Sequence, residues 1–124
     1  LGNGRAYHHM RHVMPHRDIY VFERAVASHP DSTPPEEMVM LGDVYDTLPA
    51  ALARFGPTAA LIHADLGGHN AAKNDLFARN ISPLVEPLLA VGGLMVASDR
   101  MYFDDLVEQP LPEGAVPGGI FSVQ

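Results

Sequence analysis

Two glycines and three carboxylates, each carboxylate closing a short apolar run, are the residues of this chain best placed to do chemistry. Gly2 and Gly4, in Leu1-Gly2-Asn3-Gly4-Arg5, lead straight into a helical stretch. Glycine lets a backbone turn tightly and approach a ligand with no side chain in the way. The helix amino terminus that follows offers unpaired N–H groups and a positive dipole end. Ile19-Tyr20-Val21-Phe22 closes on Glu23, Met38-Val39-Met40-Leu41 on Gly42-Asp43, and the run 59–64 on Asp65. A nucleoside-binding α/β sheet makes its ligand contacts there, outside the carboxyl ends of parallel strands.

Each acid has a chemical and a plain structural reading. Glu23 stands 19 residues after Gly4, near the spacing at which a carboxylate accepts from both ribose hydroxyls; the alternative is an exposed acid at a strand end. Asp43 can reach an exocyclic amine on a base, or form a turn by hydrogen-bonding its own backbone. Asp65 sits where a transferred group would lie, or caps a loop. A dinucleotide site calls for a third glycine three residues after the second, where Tyr7 stands. A smaller, non-phosphorylated nucleoside suits that turn better.

These residues need elements to position them. Residues 5–14 read as a helix stopped by Pro15, and residues 18–23 as a strand rich in β-branched and aromatic side chains. Proline makes 28–37 a loop. Residues 38–41 form a second strand, and 46–55 a helix with Leu48, Leu52 and Phe55 at helical spacing. The third strand, 59–64, is apolar but for His63, as a strand covered on both faces would be. A long helix is expected over 71–89, kinked or divided at Pro83 and Pro87. Gly92-Gly93 reads as a turn before a strand at 94–98, and 120–123 as an antiparallel edge strand. Alternating strands and helices predict a single α/β domain over 1–124, a doubly wound, mostly parallel sheet with helices on both faces.

Composition narrows the partners. Eight Lys and Arg against fifteen Asp and Glu give a net charge of -7, which argues against nucleic acid, since that binding rests on a basic face. The chain has no cysteine, so disulfides, thiolate metal sites and a cysteine nucleophile are excluded, and a cytoplasmic setting fits. No apolar stretch approaches the ~18 residues of a membrane span. A homo-oligomer is left open.

The order glycine loop, helix, strand ending in Glu23, strand ending in Gly42-Asp43 and strand ending in Asp65 resembles the class I S-adenosylmethionine-dependent methyltransferases. Leu1-Gly2-Asn3-Gly4-Arg5 with Tyr7-His8-His9, then Ile19-Tyr20-Val21-Phe22-Glu23-Arg24-Ala25, is similar to a small bacterial group of them. The resemblance implies a Rossmann-like methyltransferase fold and S-adenosyl-L-methionine as cofactor. Gly2 and Gly4, with Asn3 between them, would line its methionine part, Glu23 would bind the ribose and Asp43 the adenine. Asp65 would face the methionine amino group or the acceptor. In this family a strand precedes the glycine loop, and none is present here, so the chain is expected to lack its first, central strand. Its neighbours would then lose backbone partners at about 1–3 kcal/mol per buried unpaired group, against a typical stability of ~5–15 kcal/mol. The segment alone is therefore expected to fold poorly.

Methyl transfer from a sulfonium is an in-line displacement that depends on alignment, helped by a base where the acceptor carries a proton. Asp65 and His69 are the candidate catalytic residues; His63, inside an apolar strand, suits a core role. No Asn-Pro-Pro-Tyr-like tetrad follows the strand 59–64, and the charge is acidic, so a small-molecule acceptor is expected. Asp65 and Asp99 loosely resemble the acids that hold Mg²⁺ in metal-dependent O-methyltransferases, but Asp99-Arg100 lacks the expected asparagine. His8, His12 and His16 share a helical spacing without a catalytic Glu, which favours a solvated face over a metal site. The rival readings are a non-catalytic nucleoside- or partner-binding module, and nicotinamide-dependent redox chemistry, to which Tyr7 is ill suited.

Overall fold

A computed structural model describes residues 4–66 and 68–114 and the backbone of 122–123. Gly2 and Asn3 lie outside the described residues. The chain divides into two compact units, Leu1–Thr47 and Leu48–Gln124, and the division falls within one helix.

The first unit holds α1 (Arg5–Val13), β1 (Val21–Glu23) and β2 (Val39–Leu41). Gly4 caps α1 with a positive φ of 88°, a conformation that only glycine adopts without strain. Tyr7, which stands where a dinucleotide loop would carry glycine, is instead the buried anchor of α1. Arg11 and His12 occupy the last turn, where cations meet the negative end of the helix dipole. The helix then closes on the Met14 N–H to the Met10 carbonyl, just before Pro15. β1 and β2 pair in parallel, Val21 opposite Val39 and Glu23 opposite Leu41. The proline-rich loop between them carries two 3-10 turns, Pro30–Ser32 and Glu36–Met38. It is tied to itself by a 2.7 Å hydrogen bond between the Ser28 and Thr33 hydroxyls.

α2 (Val44–Phe55) bridges the division in sequence, and the second unit continues with β3 (Ala59–Ala64), α3 (Ala71–Val85), β4 (Leu89–Ala97) and β5 (Ser122–Val123). β3 and β4 are parallel, and β5 runs antiparallel along the other edge of β4. The edge strand expected at 120–123 is thus present in its last residues. The core of this unit centres on Ile81 and Met95, both 0% exposed, with Ala78, Val85 and Ala97 around them. β3 is less covered than its largely apolar sequence suggests, because Leu61 and its β4 partner Leu94 remain 40% and 49% exposed.

The elements before β3 shift from the sequence reading by one to three residues at their ends, and two boundaries differ further. α3 passes through Pro83 but stops at Val85, and Glu86–Leu88 continue as a 3-10 turn with Pro87 near its start. Pro87 has no N–H to donate to the helical ladder, so the chain tightens and exits there. The fourth strand starts five residues early, at Leu89 rather than Leu94, so Gly92-Gly93 is a bulge inside a strand and not a turn before one. Ala59 faces Leu89 and Leu61 faces Leu94, so Ala60 alone spans the stretch that Ala90 to Gly93 cover. Gly92 absorbs the extra length at φ 81°. A Cβ on Gly93 would lie 2.9 Å from the Ala59 and Ala90 carbonyl oxygens.

Gly93→Ala is therefore expected to prise β3 from β4 and cost about 1–3 kcal/mol, the usual range for overpacking. Gly56→Ala, at φ 65° with open space around the new Cβ, should cost only about 1 kcal/mol. Urea denaturation of the two variants checks the order; equal midpoints would contradict the bulge.

Candidate functional site

Parallel pairing brings Glu23 and Asp43 side by side. Glu23 ends β1 opposite Leu41, and the Gly42 N–H extends the ladder by donating to the Glu23 carbonyl at 3.0 Å. Asp43 thus emerges at the same carboxyl edge. Glu23 is half-buried, and its Oε1 accepts from the Arg24 N–H at 3.0 Å. Asp43 takes up the structural role weighed for it: its Oδ1 accepts from the Tyr45 N–H at 2.9 Å. Its carbonyl receives the Asp46 and Thr47 N–H groups, each at 2.9 Å, and so starts α2. The other carboxylate oxygen, Oδ2, makes no hydrogen bond among the described residues.

Gly4 is held by packing as well as by its turn. A Cβ there would meet the Ser32 Cβ and carbonyl oxygen at 2.7 Å and the Ser28 Cβ at 3.1 Å. The side-chain direction is filled by the 28–32 loop, so Gly4 can serve a ligand through its backbone alone. On α1, His8 and His12 are exposed, and His16 lies beyond the helix end. No group of three His, Asp or Glu side chains able to hold a metal occurs among the described residues.

The second unit repeats the strand-end arrangement with different partners. The Ser98 N–H donates to the Ala64 carbonyl at 3.0 Å, and the Ser98 hydroxyl donates to Asp65 Oδ1 at 3.0 Å. The residue after β4 thereby fixes the acid after β3. An open cleft lies at these carboxyl ends, floored by Ala64, Phe77, Ala78 and Ala97 and edged by Ser98 and Asp99. Asn74 also lines it, and its side-chain amide closes a two-point pair with Gly68, accepting from the N–H at 2.8 Å and donating to the carbonyl at 2.9 Å. His69 lies exposed just beyond that clamp, and Asn70 caps α3 through the Lys73 N–H. Asp65 is exposed, linked to the cleft through Ser98. His63 lies half-buried within β3.

The segment after β4 forms one wall of the cleft and is docked onto α3. Buried Ser82 accepts from the Tyr102 N–H at 2.9 Å, and the Glu86 carboxylate accepts from the Asp104 and Asp105 N–H groups at 3.2 and 2.7 Å. The Tyr102 hydroxyl donates to Asp75, whose other oxygen receives the Arg79 Nε at 2.9 Å. The Tyr102 hydroxyl and then the Arg79 guanidinium hold the Asp75 carboxyl below its usual range, while the same bond pushes the Tyr102 phenol up. Ser98, Asn74, Asp75 and Tyr102 carry no motif in the sequence. Only the fold makes them neighbours.

Two outcomes follow. Asp43→Ala removes the α2 cap and is expected to lower stability by about 0.5–2 kcal/mol, whereas Asp43→Asn, an equally good cap, should leave it nearly unchanged; thermal melts of both variants decide. Tyr102→Phe should move the Asp75 titration up toward the ordinary carboxylate range, as followed by carboxyl-carbon NMR. A carboxyl depressed in the folded state contributes stability above its unfolded pKa and loses it as pH falls through the folded one, so the variant should lose part of that acid-sensitive contribution. An unmoved Asp75 titration would remove the hydroxyl as its cause.

Comparison with known proteins supports the α/β methyltransferase fold. No curated protein matches the chain. The crystal structure of an S-adenosyl-L-methionine methyl transferase from Silicibacter pomeroyi DSS-3 is 68% identical to it, with a TM-score of 0.95, over 100% of this chain and 76% of that one. A family model described as S-adenosyl-L-methionine methyltransferase matches residues 1–122, and the chain belongs to that family, whose cofactor is S-adenosyl-L-methionine.

Proposed function

We propose that this methyltransferase holds its cofactor through the first unit and acts on a small-molecule acceptor whose reacting group lies near Asp65. The observation that carries the reading is the parallel register of β1 and β2, which sets Glu23 and Asp43 at one edge. Glu23 receives the ribose hydroxyls, and Asp43 receives the adenine amine on Oδ2, the oxygen that the helix cap does not use. Gly2, Asn3 and Gly4 take the methionine part through backbone groups, consistent with the filled side-chain direction at Gly4.

The cofactor supplies an electrophilic methyl on a sulfonium, and the chain's own task is alignment and proton removal. Asp65 is the first candidate to accept the acceptor's proton, oriented by the Ser98 hydroxyl. His69, exposed on the loop before α3, is the second. The floor of the cleft is apolar, and the net charge of -7 disfavours nucleic acid. No helix among the described residues is long and apolar enough to cross a membrane. The lack of cysteine fits a cytoplasmic enzyme.

Calorimetric titration of S-adenosylhomocysteine tests the cofactor side. Binding is expected in the unmodified protein, and Glu23→Ala should weaken it about tenfold or more, the loss typical of hydrogen bonds to a charged group. Unchanged affinity in a folded Glu23→Ala variant would reject the ribose role.

A further inference from the structure

Arg79 and Arg100 both lie against the ring of Tyr102, their guanidinium carbons 4.0 and 5.4 Å from its centroid. Two like charges on one ring repel, so the arrangement calls for anions. Asp75 supplies one, and it pairs with Arg79 at 2.9 Å. Arg79 is further engaged, donating from Nη2 to the Tyr102 hydroxyl at 3.1 Å. Arg100 has no such partner: its guanidinium makes no hydrogen bond or ion pair among the described residues. Around the Tyr102 ring two guanidinium groups thus face one carboxylate, with Asp99 beside Arg100 in the chain, and only Arg100 keeps its donors unspent.

The position of that guanidinium is informative. Arg100 is exposed and does not itself line the cleft, but it stands between Asp99 and Met101, which do. The segment that carries it is anchored to α3 by Ser82 and Glu86, and its ring support is pinned through the phenol. The backbone around Arg100 is therefore ordered before any ligand arrives, which lowers the entropy lost on binding. A guanidinium with all its donors unspent matches the two oxygens of a carboxylate or the oxygens of a phosphate. We infer that Arg100 receives an anionic group, carboxylate or phosphate, of the methyl acceptor, whose apolar portion rests in the cleft beside Met101.

This inference rests on the reading that the cleft of the second unit takes the acceptor, and its test is separable from the cofactor test. The probe is 3-phenylpropionate, an apolar body carrying one carboxylate, titrated into the protein at fixed ionic strength and followed by amide and arginine-side-chain NMR. Its neutral counterpart, 3-phenylpropionamide, is the control. The carboxylate should give saturable shifts at Arg100 and Tyr102 that the amide does not, and Arg100→Gln, at an exposed position, should weaken binding about tenfold. Arg100→Lys should restore part of it, as a cation without the bidentate fork. Equal shifts from the amide, no saturable binding, or undiminished binding in Arg100→Gln would each overturn the inference. So would weakened S-adenosylhomocysteine affinity in Arg100→Gln, because the anion would then be the cofactor's own carboxylate. S-adenosylhomocysteine affinity unchanged in that variant, with carboxylate binding lost, supports an acceptor role.

Discussion

A pair of parallel strands delivers two side chains to one edge only if the ladder holds through the last residue of each. Both parallel pairs among the described residues meet that condition in the same way, with one backbone hydrogen bond placed beyond the regular register. Gly42 donates to the Glu23 carbonyl after β2, and Ser98 donates to the Ala64 carbonyl after β4. Those bonds fix the direction in which the chain leaves each strand. Asp43 can begin a helix beside Glu23, and Ser98 can reach Asp65, because the exits are fixed first. Parallel bonds are slanted and slightly weaker per residue than antiparallel ones, so a strand of three residues such as β1 gains proportionately from one more. The acids are consequences of that backbone constraint.

This explains what could be read from the sequence and what could not. Glu23, Asp43 and Asp65 were legible because an apolar run ending in an acid encodes both the strand and its edge. The helix of residues 71–85 was legible from the apolar spacing of Leu76, Phe77, Ile81, Leu84 and Val85, but Leu76 stays 60% exposed and Ala78 and Ser82 are buried in its stead. Gly92-Gly93 was not, since the same dipeptide permits a turn or a bulge; only the Ala59 carbonyl pressing on Gly93 selects between them. Ser98, Asn74 and Tyr102 were invisible for a different reason. Each acts on a partner 33, 6 and 27 residues away, respectively Asp65, Gly68 and Asp75, and no local periodicity announces such a pairing.

α3 is the frame on which the second unit's cleft is hung. One face contributes Ala78, Ile81 and Val85 to the core. Its polar residues reach outward in order along the axis, Asn74 to the loop after β3, Asp75 and Arg79 to Tyr102 and Ser82 to the Tyr102 backbone, and Glu86, at its C-cap, reaches the backbone of Asp104 and Asp105. Two walls of one cleft are thereby referenced to the same helix. Isolated surface pairs such as Asp75–Arg79 contribute little by themselves, but several contacts on one rigid element constrain the segment together. Ser82 is the most consequential of them, because it is fully buried and satisfied on both sides, donating to the Ala78 carbonyl and accepting from Tyr102. A buried hydroxyl left half-paired would cost more than an exposed one.

Asp43 shows how a structural role can leave room on the same side chain for the binding role proposed for it. The cap occupies Oδ1, the carbonyl oxygen starts the helix, and the Thr47 hydroxyl adds a further bond to that carbonyl at 3.2 Å. The rotamer is therefore set by the protein itself, and a ligand that approaches Oδ2 does not have to freeze it. Side-chain ordering costs about 0.5–1.5 kcal/mol per immobilised group on binding, so a pre-capped aspartate takes a base amine more cheaply than a freely rotating one. The same constraint sets the direction of specificity. An ionised carboxylate with one oxygen committed can only accept, so Asp43 favours a ligand edge that donates, such as the amine of adenine, over one that presents a carbonyl.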